Sequence, residues 1–186
     1  MTDEVYPDDI INAEVSSAGV AQDIADVLAT ARGTVDQDGA HDIQRLHVML
    51  HAGSIHLLQR LMEHDVSEAA VLTVELLKEG SNSAVDLDSL ARTFEEKRIA
   101  ATDPKEARDA ERTGELARAV SATTSTVMVW QVSGSAESGK LLPVARGMVA
   151  KVGELEGMIP AVDYLTSVLN DVEAEGQTPP AGEATA

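Results

Sequence analysis

The sequence predicts an all-α chain: about six helices in a bundle or an elongated helical assembly, with at most one short strand near 126–132. Three observations carry that prediction. Apolar residues recur at intervals of three and four along most of the 186 positions, the spacing of one helix face. Hydrophobic residues make up 44% of the chain, enough to close a core, while aromatics are only 2%, so packing must rest on Leu, Val, Ile, Met and Ala. Capping and stopping residues punctuate these stretches at helical lengths.

Tyr6, Pro7, Asp8 and Asp9 set a proline and two acids where a helix start favours them. Ile10, Ile11, Val15, Ala18, Val20, Ile24, Val27, Leu28 and Ala31 follow at helical spacing, and Gly33 is the expected stop before a polar turn at 36–39. A second, stronger helix is expected from about 40 to 64, with Ile43, Leu46, Leu50, Leu57 and Leu61 on one stripe. Ser67 suits the start of a third helix, and Val66 and Val71 have the spacing of a hydrophobic staple. Val71, Val74 and Leu77 are its expected apolar face, Gly80 its end, and residues 81–83 a loop.

A fourth helix near 87–100 presents Leu87, Leu90, Ala91 and Phe94. Asp103, Pro104 and Glu106 then supply N-cap, first-turn proline and third-position acid for a fifth. As far as Arg118 this helix reads polar most of the way round, so it is expected to project from the body or to bridge between units. Residues 126–132 are β-branched enough to be the one strand, or else a buried continuation of the fifth helix; so short a run does not arbitrate. Residues 133–140 read as a Gly/Ser loop. The last helix is expected from about 141–143, where Met148, Val152, Leu155, Ile159 and Val162 alternate by four and three like a coiled-coil seam. Leu165, Leu169 and Val172 extend this face, and Pro160 is expected to kink or split the helix. The predicted organisation is a helical domain over 1–173 and a flexible low-complexity tail over 174–186.

Charge and composition narrow the function classes. The chain has 32 acids against 14 bases, a net charge of −18, and no cysteine. That excludes disulfides, thiolate metal sites and a cysteine nucleophile, and it sets the surface against direct nucleic-acid binding. No run of about 18 apolar residues and no basic leader are present, so neither a membrane span nor a secretory signal is expected. The expected location is the cytoplasm, or a particle assembled inside the cell. Arg outnumbers Lys nine to five, which with the acidity resembles proteins adapted to molar salt. Residues 1–40 carry nine acids and one base, 153–186 seven acids and no base, but 101–152 six acids and seven bases. That nearly neutral middle is where contacts with partners are expected.

Two constellations invite chemistry. His41, His47, His51, His56 and His64 all fall on or beside the second helix. His47 and His51, four residues and about 40° apart on a helix, are the metal candidates, and they lie on the predicted apolar arc. No His-Glu-x-x-His or Glu-x-x-His pattern completes the set. Gly134, Gly139 and Lys140 have the spacing of a phosphate-binding loop, but Leu141 stands where Ser or Thr ligates magnesium. One candidate strand also cannot build the parallel sheet such a loop crowns.

The leading expectation is therefore a non-enzymatic structural or interaction subunit that self-associates by helix packing: an assembly subunit, scaffold or virion component. Its expected interface is Met148, Val152, Leu155, Ile159, Val162 and Leu169, where Gly147, Gly153 and Gly157 allow close approach. Its expected partner is itself or another protein, and no cofactor is expected. Two alternatives remain: a helical protein with a histidine-based metal or proton-transfer site, and an acidic module for a basic partner.

Overall fold

The computed structural model describes residues 19–37, 39, 41–79 and 87–177, and among them every regular element is a helix. In chain order they are α1 (Val20–Gln37), α2 (Asp42–Glu63), α3 (Ser67–Glu79), α4 (Leu87–Ala100), α5 (Pro104–Ser133), α6 (Ser135–Gly153) and α7 (Ile159–Gln177). The predicted helix start at residues 6–9, with Ile10, Ile11 and Val15, lies outside the described residues, as does the expected loop at 81–83.

The organising element is α5, thirty residues long and so about 45 Å. It packs against each of the six other described helices. This overturns the expectation that it projects from the body. Its charges are concentrated at and before Arg118, but Ala110, Thr113, Gly114, Ala117, Ala119, Thr123, Thr124 and Thr126 are buried along with Leu116, Val120 and Val127. A face of small residues scores as weakly apolar, yet it is what lets several helices approach one axis. The start is as predicted: Pro104 is in the first turn and the Asp103 carboxylate accepts the Lys105 N–H at 2.9 Å.

Residues 126–132 belong to α5, not to a strand. Thr113 and Thr126 return their hydroxyls to the carbonyls of Asp109 and Ala122, each at 2.8 Å, so burying these β-branched residues leaves those hydroxyls satisfied. Gly134, at φ 80°, ends α5 and also precedes α6. The expected Gly/Ser loop at 133–140 is thus a one-residue joint followed by two helical turns. Pro143 sits inside α6 rather than at its start. The carbonyl it would crowd is that of Gly139, which is exposed.

Gly33 does not stop α1, which continues to Gln37 before Gly39 turns the chain at φ 68°. α1 and α2 form a hairpin tied by Arg45 and Asp36 at 3.0 Å. At its middle, a Cβ on Gly53 would stand 2.7 Å from Thr124 Cγ2 and 2.9 Å from Leu28 Cδ2. Three helices meet there because one of them lacks a side chain. α2 ends with Asp65 at φ 60°, where the Val66 and Asp65 amides donate to the carbonyls of Leu61 and Met62, a Schellman closure that turns the chain into α3.

The predicted last helix is two. α6 ends at Gly153, residues 154–158 turn with Gly157 at φ 79°, and Pro160 takes the second position of α7. α6 and α7 pack on each other and on α5. α7 runs to Gln177, four residues into the predicted tail, and residues 178–186 lie outside the described ones.

Candidate functional site

α3 is apolar on two sides. Ala69, Leu72 and Leu76 are buried, and Thr73 sits among them with its hydroxyl on the Ala69 carbonyl at 2.7 Å. Val71, Val74 and Leu77 point outward and are 45%, 49% and 59% exposed. These three were the expected core face, so the helix is rotated from the predicted setting. Both stripes satisfy helical periodicity, and the spacing alone does not choose between them. The choice is made from another element: Glu68, buried at the start of α3, accepts Arg112 of α5 at 3.0 Å. That ion pair turns the 69/72/76 side inward. Beside the outward ridge, Lys78 and Glu75 pair at 3.0 Å.

Among the described residues α2 also carries three exposed aliphatics, Ile43, Leu46 and Val48, the last 38% exposed. Ile43 and Leu46, 71% and 40% exposed, are the start of α2's apolar stripe, which is buried only from Met49 onward. Ile99, Val132 and Val144 stand singly on other helices, which is ordinary for a protein surface.

The six residues expected to form an interface do not share one open strip. Val152 and Leu169 are fully buried, and Met148, Leu155 and Val162 pack against the core. Ile159 is 69% exposed at the start of α7. The turn at 154–158 folds the seam back on itself, so its two halves face each other across α6 and α7. Gly147 has open space around it, and a Cβ on Gly153 would make only ordinary contact with Val162. Gly157 serves the turn, against the guanidinium of Arg112.

His47 is exposed and His51 half-buried, and among the described residues no group of three His, Asp or Glu side chains is gathered to hold a metal ion. The expected apolar arc around His47 is uncovered at this end of α2. A different histidine is set in a polar cluster that sequence reasoning did not single out. His56, Arg60 and Glu63 share one side of α2, within electrostatic reach of Asp23 of α1 and Tyr164 of α7. Burial, reinforced by the Arg60 charge, lowers the His56 pKa, and its buried Nε2 has no protein partner among the described residues. Burial raises the Tyr164 pKa; its ring lies 5.4 Å from His64 and its hydroxyl beside the Arg60 guanidinium. Only the spacing 56, 60, 63 was legible in advance; the residues from α1 and α7 were not.

At the other end of α7, the Asp171 carboxyl faces the first amides of α1, at Gly19, Val20 and Ala21. Burial raises its pKa and these hydrogen bonds partly offset the rise.

Gly134, Gly139 and Lys140 do not form a phosphate cradle. Residues 135–140 are the first turns of α6, and Lys140 is paired with Glu137 at 2.6 Å. Gly139 instead borders a groove of about 540 Å³ between α6 and α7, floored by Leu142 and Val172. Arg146 at its rim is held by Asn170 and Glu173 at 2.9 and 2.6 Å. No helix among the described residues is long and apolar enough to cross a membrane. In comparison with known proteins, the chain matches no family model, no curated protein and no solved structure.

Proposed function

We propose that this chain is a non-enzymatic structural or interaction subunit that self-associates through helix packing, and that the outer face of α3 makes the contact. One observation carries the reading: Val71, Val74 and Leu77 form a ridge of three large aliphatic side chains left about half open to solvent. Full burial of such a side chain is worth about 1.5–3 kcal/mol, so the ridge holds unspent driving force for association. Five of the six residues expected at 148–169, all but Ile159, pack in or against the chain's own core, and this moves the proposed contact to α3. Scaffold, assembly subunit and virion component are all roles such a contact serves.

Light scattering across a concentration series, in molar KCl to screen the −18 charge, tests the reading. The expected result is a concentration-dependent oligomer that Val74→Asp converts to monomer. The substitution is at the surface, so stability should move by no more than about 0.5 kcal/mol. A chain that stays monomeric at every concentration defeats the proposal.

A further inference from the structure

We infer that His56 is a proton-operated latch where α1 and α7 meet on α2: uncharged, its ring stays packed in the junction, and charged, it must leave and let water in beneath the start of α1. His56, Arg60 and Glu63 share one side of α2. Tyr164 of α7 has the same three charged neighbours as His56, namely Arg60, Glu63 and Asp23 of α1. The Nε2 atom of His56 is buried and has no hydrogen-bonding partner among the described residues. The neutral ring can leave this nitrogen as a bare lone pair. The charged ring cannot. Both of its nitrogens carry protons, so Nε2–H becomes a buried, charged donor with no acceptor to receive it.

The surrounding charges set the direction of the change. Arg60, one turn further along α2, repels an imidazolium, while Asp23 and Glu63 attract it. Both carboxylates belong to exposed residues, so the pull on the ring is toward the surface. α7 contributes the Tyr164 phenol, itself buried with its hydroxyl beside the Arg60 guanidinium. Among the described residues no charged group of α3 or α5 acts on His56. Burial, with Arg60, also lowers the pKa of this histidine, which places its change of state on the acid side of neutrality. The helix that follows the ring is α1. Its first amides are received by Asp171 of α7, so a gap opened beside Asp23 and Tyr164 loosens α1 from α2 and α7 together. The hairpin of α4 on α5 lies outside this junction and keeps its packing.

Hydrogen exchange of the full chain at about pH 7.5 and about pH 5.5, corrected for the intrinsic rate at each pH, reads the latch. Peptides covering 20–31 and 161–168 should lose protection about tenfold on acidification, while 87–100 keeps it. His56→Gln, which takes up no proton, should abolish the difference. His64→Gln, at the other histidine beside Tyr164, should leave it in place. In the unsubstituted chain the midpoint of the loosening should coincide with the titration of the His56 ring followed by NMR, a comparison that needs no variant. An equal loss of protection in every helix, a difference that survives His56→Gln, or two separate midpoints would each overturn the latch.

Discussion

Gly53 and Gly33 are both glycines inside helices, and the sequence offers no way to rank them. The structure does. A methyl group at Gly53 meets a stiff Thr124 and a buried Leu28 at under 3 Å, whereas one at Gly33 meets nothing within 4 Å. Gly53→Ala should lower unfolding free energy in urea by about 1–3 kcal/mol through overpacking. Gly33→Ala should raise it by about 0.5–1 kcal/mol, because alanine is the better helix former. Finding the two substitutions equal would mean that the three-helix crossing is looser than described. His56 gives a second residue-scale expectation. Its folded pKa lies below the ordinary histidine value of about 6.5, so the unfolded chain takes up this proton first, and its contribution to stability is lost as pH falls from about 6.5 through the folded value. His56→Gln should flatten that part of a Tm-against-pH curve. Asp171 acts with the opposite sign at lower pH: its pKa is raised above 3.8, so its share of stability falls as pH rises through that window.

Helices were legible in the sequence; their orientations were not. The start of α5 at Asp103 and Pro104 follows from local capping chemistry that any neighbour leaves intact, whereas Ser67 is the first residue of α3 and its hydroxyl donates to the Glu68 carboxylate at 3.4 Å. Which side of α3 faces inward depends on Arg112, forty-four positions away, and periodicity contains no such information. The polar reading of α5 failed for a related reason. Its burial comes from six neighbours converging on small side chains, and no window along the chain reveals convergence. The seam at 148–162 was real as a pattern but was cut by Gly157, whose positive φ turned one long face into two opposed ones. The Glu68–Arg112 pair gives the element-scale prediction. Arg112→Ala leaves a buried carboxylate without its cation and should cost about 1–3 kcal/mol. Arg112→Ala/Glu68→Gln should recover part of that in a double-mutant cycle. Full additivity of the two substitutions would show that the ion pair does not orient α3.

Over the whole molecule, thirty-two acids against fourteen bases load the folded state with self-repulsion that salt relieves. The melting temperature should climb as KCl is raised from about 0.05 to 2 M, well past the range in which exposed ion pairs weaken. A flat response would separate the composition from any adaptation to brine. The position of α5 has a consequence for how the chain comes into being. The four helices before it cannot share a complete core, because the face they close on is contributed by residues 104–133. During synthesis the first hundred residues should therefore wait, sticky and unassembled, until the fifth helix leaves the ribosome and gathers its neighbours. A fragment ending at residue 103 should accordingly show weak helical circular dichroism and rapid proteolysis, and one ending at 153 should show substantial protection.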